Sequence, residues 1–500
     1  MKGHQTPKAR RTGQDGDMAC FLRAGVAKGD ITTRTKGAQI HDPLYAKALV
    51  LDDGTTRLAI IAMDVVALGM IGDIKDDFLS KLRGRIQKEL KIPGRNVLVN
   101  ASHTHPPGRL LCSDIEQLDR TFDAVRRAAG NMLPVKVGWG RGAEERFTMN
   151  RTLRLKNGKA WTIRHANPCP PDDEVAGVGP TDPEIGLLRV DRTDGRPLAV
   201  VYNFACHPLF GDARGSITAN FPGFASKVIE EELGHGAMAL FLQGAGGDMI
   251  DVLFKDFSRP RDTEPIGTAL GLSTLKAWRK IRMKNVKLKV VSETIRLPRR
   301  NDIPAHIVEL QKEQAELLQS LQTTSLNFKA FLPLYLKHAL NPQYPADYSY
   351  RYLQEAKIGS DDLLAMDAHN ERCIAKYLGN IRAMEKLARI QDRLMTYRFH
   401  KALNDESGER TIAAEVQGIR IGEFVLISSP AEVLVQVGLN VKKASPYKYT
   451  FMSAFSNGYM HYGAPAADYA RGGYEVTECL LAPEWQRIYE KKALSVIRRL

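Results

Sequence analysis

Two strand-length apolar runs in this chain each end on a histidine and a proline. Arg95-Asn-Val-Leu-Val99 leads into Asn100-Ala-Ser-His-Thr-His-Pro-Pro-Gly108, and Leu198–Phe204 leads into Cys206-His-Pro208. Proline has no amide hydrogen to give to a ladder, so a central strand stops where it stands. His103 and His105 are two residues apart, and on a strand that spacing points both side chains to one side. A metal ion is the simplest reason to hold two neutral imidazoles together at a strand end. The plain alternative is a pair of surface histidines at a turn. The recurrence at His207 shifts the balance toward the metal, and on the residues alone both His103 and His105 are candidate ligands.

The rest of the chain supplies a sheet to carry them. Asp42–Leu51 and Arg57–Val66 read as strands, the second interrupted by Asp64, a carboxylate that burial would oblige to find a partner. Ile74–Leu90 and Asp114–Met132 have helical spacing, so the early order is strand, helix, strand, as in an α/β layer. Val135–Arg154, Ile185–Val190, Leu198–Phe204 and Ala237–Leu242 read as further strands, and Phe221–Leu233 as a helix. The proline-rich stretch Ala166–Asp182 reads as a long loop or lid. Gln243-Gly-Ala-Gly-Gly-Asp-Met249 allows a close backbone approach but lacks the lysine and spacing of a phosphate loop. From 302 to 402 the pattern changes to long charged helices, Ala305–Gln322, Leu326–Leu340 and Leu363–Arg398, with the aromatic stretch Tyr344–Tyr352 as a connecting loop. Strands return at Thr411–Ile421 and Glu423–Ile427, a hairpin through Gly422, and at Tyr449–Ala454. The expected division is a core of 20–301 and 403–500, a helical insertion of 302–402, and a disordered basic N-terminus, 1–19.

Composition narrows the class. No run of eighteen apolar residues is present, so no helical membrane span is expected. Met1–Gly16 is polar and basic, without the apolar stretch of a secretory signal. The six cysteines form no CxxC pair. Together these predict a cytoplasmic protein with reduced thiols. The net charge of +14 is partly local, since Lys276–Arg300 is rich in lysine and arginine. Such a run suits an anionic membrane surface or another polyanion. Nucleic acid is disfavoured, because no RNA-binding, zinc-knuckle or helix-turn-helix signal accompanies it.

Four ordered motifs resemble the neutral, nonlysosomal ceramidase family. Ser102-His-Thr-His-Pro-Pro-Gly108 is similar to the family's Thr-His-Thr-His-Ser-Gly-Pro, and Phe204-Ala-Cys-His-Pro208 to its Phe-Ala-Val-His-Pro. Pro430-Ala-Glu432 is similar to its Pro-Gly-Glu. Ser456-Asn-Gly-Tyr-Met-His-Tyr462, with Gly473-Tyr-Glu475 farther on, is similar to its Ser-Asn-x-Tyr-x-His-Tyr and Arg-Tyr-Glu. Ala24–Thr32 fits the family's start, so the resemblance covers about 24–300 and 411–480.

The resemblance implies a mixed-sheet α/β zinc-hydrolase core with a helical insertion, and an N-acyl, possibly lipid, substrate such as N-acylsphingosine. It implies Zn2+ held by His103, His207, Glu432 and Tyr462. It assigns His105 and Tyr474 to catalysis, places Arg151 along the site, and puts Gly247 and Asp248 near the substrate. His461 is expected to be a spectator. Zinc would activate a water to cleave a linear amide. Two departures bear on the substrate. The family's Gly-Asp-Val-Ser-Pro is Gly247-Asp-Met-Ile-Asp251 here, with Ile250 at the serine position. The motifs also leave no room within these 500 residues for the family's C-terminal immunoglobulin-like domain. Two alternatives stand beside ceramide hydrolysis: a zinc hydrolase of the same fold acting on a different amide or ester, and a non-catalytic protein binding polyanions or membrane surfaces through 276–300.

Overall fold

The computed structural model describes residues 22–105, 111–164, 169–209, 215–252 and 262–500. The N-terminal stretch 1–19 and the turn Pro106-Pro-Gly108 lie outside them. Eight strands form one mixed sheet, in the order Met238–Gln243, Pro197–Phe204, Glu184–Arg192, Leu133–Ala143, Arg23–Asp30, Tyr45–Asp52, Arg57–Met63, Val97–Ala101. Pairing is antiparallel except at the two ends. There Met238–Gln243 runs parallel to Pro197–Phe204, and Val97–Ala101 runs parallel to Arg57–Met63. A parallel neighbour needs a crossover, and the crossovers are built on the helices Asn220–Leu233 and Phe78–Leu90. These two end units are the ones that carry the histidine turns.

Alternation along the strands divides the core. Ala46, Ala48 and Val50 pack with Phe122 and Val125 of the helix Asp114–Gly130, whereas Leu49 and Leu51 point the other way, toward Ile419, Phe424 and Leu426. The latter belong to a second sheet ordered Leu288–Pro298, Thr411–Ile421, Phe424–Ser428, Tyr449–Ser453. Val435–Ala444 and Trp485–Arg498 cover its outer side. The layers therefore run helix, sheet, sheet, helix, an α/β arrangement around apolar seams.

The large sheet is curled enough for its two end strands to meet. The Gln243 amide, on one end strand, donates to Asn100 Oδ1 on the other at 2.9 Å. Asn100 Nδ2 then reaches the Ala454 carbonyl at 2.6 Å, beyond the last strand of the second sheet. Twisted sheets coil in this way, and here the coil brings two distant strand ends to one place.

Leu288–Pro298 and Thr411–Ile421 pair along their full length. Between them lie four helices, Ile303–Ser320, Phe328–Leu340, Ser349–Ile358 and Asp362–Ser407. The third corrects the reading of Tyr344–Tyr352 as a plain loop. Tyr352 is buried and its hydroxyl donates to Asp367 Oδ2 at 2.6 Å, so packing against the long helix supports a segment too short to be helical by itself. Ala166–Asp182 is likewise not all loop, since Val175–Val178 pairs with Thr152–Leu155. Asp64 accepts the Tyr45 amide at 2.9 Å, a structural use for that carboxylate. The basic run is partly neutralised: Arg279 pairs with Glu232, Arg296 with Glu409, and the buried Arg300 with Asp302.

Candidate metal centre

His103 and His207 follow the ends of Val97–Ala101 and Pro197–Phe204. Simple strand alternation does not orient the first pair, because His103 has φ 66°, a left-handed conformation uncommon for a residue with a Cβ. The turn is fixed by the amides of Ser102 and His103, which donate to Met63 and Val65 at 2.9 Å each. It still brings the two rings together: His105 Nε2 lies 2.9 Å from His103 Nε2.

The tautomers follow from the backbone. His103 Nδ1 is 2.6 Å from the Val66 carbonyl, and His207 Nδ1 is 2.5 Å from the Gly246 carbonyl. A carbonyl can only accept, so each Nδ1 carries the hydrogen and each Nε2 presents a lone pair. Both Nε2 atoms face Glu432 Oε2, at 3.3 Å from His103 and 3.2 Å from His207. Tyr462 Oη lies 3.5 Å from His207 Nε2. Lone pairs aimed at one another repel unless a cation lies between them, so this donor set fits a metal ion. Glu432 and Tyr462 are neighbours because Glu432–Val433 pairs in parallel register with Tyr462–Gly463.

The surroundings set the charges. Burial opposes ionisation of Glu432, but His103 and His207 outweigh it and hold the carboxyl well below its usual range. Burial and then Arg151 push His207 down to about 4. Burial, reinforced by His103 and His207, pushes His105 well below the usual imidazole value, although the residue as a whole is partly exposed. Glu432 thus carries the negative charge, and burial favours the neutral imidazoles of His105 and His207, the form that ligates metals. Burial raises the Tyr462 phenol well above its usual value, with Arg151 pulling the other way. The second oxygen of Glu432 accepts a short hydrogen bond from Tyr459.

Arg151 is buried behind this group. Its Nε donates to Glu475 at 2.8 Å, and Nη2 reaches the Gly247 carbonyl at 2.8 Å and Tyr462 Oη at 2.9 Å. Gly247 and Asp248 serve as braces. A Cβ on Gly247 would lie 2.7 Å from the Glu432 carbonyl oxygen. Asp248 accepts the Val435 amide at 2.8 Å and the Asn150 side chain at 2.7 Å, and burial pushes its pKa up to about 7. Ile250 is buried and bridges the His207 backbone. Tyr474 packs its ring 5.6 Å from that of Tyr462 and under the Arg164 guanidinium, 3.6 Å away. It lines a cavity of about 420 Å³ together with Trp161, Arg164, Arg389 and Arg393.

No family model matches the chain. Its sequence is 22% identical over 528 residues to the neutral ceramidase of Pseudomonas aeruginosa, spanning 94% of this chain and 70% of that protein. The crystal structure of neutral ceramidase from Pseudomonas aeruginosa superposes with a TM-score of 0.60 at 18% identity, covering 96% of this chain and 75% of that one. A ceramidase complexed with C2 gives 0.60 at 17% identity, covering 96% and 76%. The chain therefore shares the fold of that neutral ceramidase and resembles it in sequence along most of its length.

In this chain, His103, His105, His207, Glu432 and Tyr462 meet at one place, while Arg151 and Tyr474 flank it. Residue reasoning missed the roles of Tyr459, Glu475 and Asn100. All three stand inside the quoted motifs, which was the available signal. Their partners Glu432, Arg151 and Gln243 are far away in sequence, so nothing local reveals the pairing.

Proposed function

We propose that this chain is a zinc-dependent amidohydrolase of ceramidase type, cleaving N-acylsphingosine or a related linear N-acyl substrate. His103, His207, Glu432 and Tyr462 would hold the metal. When bound, zinc supplies a Lewis acid for the scissile carbonyl and lowers the pKa of a water to about 7. His105, the solvent-reached member of the histidine group, moves a proton at Nε2 toward the leaving nitrogen. Burial keeps the Tyr474 phenol protonated, so it can donate a hydrogen bond to the carbonyl oxygen as negative charge develops there. Arg151 acts as a positioning residue, holding Tyr462 Oη from behind.

The observation that carries this reading is the meeting of His103 Nε2, His207 Nε2 and Glu432 Oε2 with their lone pairs toward one another. The test is metal analysis beside fatty-acid release from N-acylsphingosine, before and after chelation and return of zinc. Zinc-dependent release supports the proposal, and release unaffected by complete metal removal refutes it.

A second reading keeps the chemistry and changes the substrate. The cavity beside Tyr474 presents Arg164, Arg389 and Arg393, which favours an N-acyl compound with an anionic group. A panel of neutral and acidic N-acyl amines separates the two: faster turnover of the acidic members favours this reading.

A further inference from the structure

A second histidine cluster lies where the long helix Asp362–Ser407 meets the core. His400 comes from that helix, His461 from the turn before Tyr462, and Glu478 from the segment after Tyr474–Thr477. One donor atom from each lies within 4.8 Å of the other two. Glu478 Oε2 is 3.8 Å from His400 Nε2 and 3.7 Å from His461 Nδ1, and the two rings are 4.7 Å apart, edge to face.

Both histidines are almost fully buried, His400 at 0% exposure and His461 at 4%. Among the described residues, neither nitrogen of His400 has a hydrogen-bond partner, and neither has His461 Nε2. Buried imidazole nitrogens are normally satisfied, and 3.7–3.8 Å is too long for a hydrogen bond to the carboxylate. The spacing suits another bond. Ligand atoms held 2.0–2.2 Å from a tetrahedral ion lie roughly 3.3–3.6 Å apart, so small rotations would close these rings on one ion. Glu478 is already oriented, since its other oxygen accepts from Thr396 at 2.9 Å. His461 has φ 60°, a strained backbone that aims its ring at the cluster.

We propose that His400, His461 and Glu478 form a second metal site, for zinc or a similar borderline divalent transition ion, that staples the helical segment to the core. Two imidazoles and one carboxylate are the donors such ions prefer over calcium or magnesium. The site adjoins the first through Tyr459, whose ring lies 5.3 Å from that of His461 and whose hydroxyl bonds Glu432. It does not depend on the hydrolase reading.

The experiment counts zinc bound by the metal-stripped full chain, titrated against a chromogenic chelator. Two equivalents are expected for the wild type, and one each for His400→Ala, Glu478→Gln and His103→Ala. His400→Ala combined with His103→Ala should bind none. Retention of the first equivalent in Glu478→Gln shows that this near-isosteric variant is folded. A wild-type count of one that disappears in Glu478→Gln but persists in His103→Ala supports this site and refutes the first. Counts unchanged from wild type in both His400→Ala and Glu478→Gln overturn the proposal.

Discussion

Tyr459 offers a clean test of how the metal centre is held. Its side chain is 9% exposed, and its hydroxyl donates to the Glu432 oxygen that faces away from the histidines. Burial and then the Glu432 charge keep its phenol protonated, so it can act only as a donor there. Tyr459→Phe removes that one hydrogen and leaves the ring packed. A hydrogen bond to a buried charge contributes about 1.5–3 kcal/mol. Loss of an outer partner of a metal ligand weakens metal binding about 10–100-fold, which is about 1.4–2.7 kcal/mol. The two estimates agree, so zinc affinity should fall 10–100-fold while the far-ultraviolet circular dichroism stays unchanged. Competitive zinc titration of the folded variant gives the number. An affinity within about twofold of wild type would mean that Glu432 does not ligate the metal, or that Tyr459 does not support it.

His105→Ala should keep its first zinc equivalent and lose about 10²–10⁴-fold in kcat, the usual range for a general acid or base. His103→Ala should lose the zinc as well, and equal metal loss in both would make His105 a ligand. Glu475→Ala leaves the buried Arg151 without its carboxylate and should cost about 3–5 kcal/mol in urea unfolding. Glu475→Gln, which keeps an acceptor for Thr162 and Thr152, should cost less. Asp64 gives a pH signature. Burial, against the pull of Lys47, raises its pKa from 3.8 to about 6. The native state therefore holds this proton more tightly than the unfolded chain. Stability should fall by roughly 1–2 kcal/mol as pH rises from about 4 through 6. Asp64→Asn should remove that part of the slope in pH-dependent urea melts.

The sequence by itself determined the elements and the chemistry on offer. Apolar runs ended by prolines marked the strands before His103 and His207. The 3.6-residue pattern marked Asp114–Gly130 and Asn220–Leu233, and the hairpin through Gly422 was legible from its flanking strands. Motif resemblance pointed to the same side chains that meet in space. Such features were legible because they are local: periodicity and turn chemistry act over a few residues. Convergence was a different matter. Val97–Ala101 and Met238–Gln243 stand at opposite ends of one eight-stranded order, and only the coil of that sheet brings Asn100 to Gln243. Ser349–Ile358 became helical through the burial of Tyr352, which no local pattern announces. His103 and His461 point where they do through positive φ angles, imposed by surrounding backbone bonds against intrinsic preference. His461, expected from strand alternation to be a bystander, ends beside His400 of a helix sixty residues away, because long-range packing decides which buried side chains share a space.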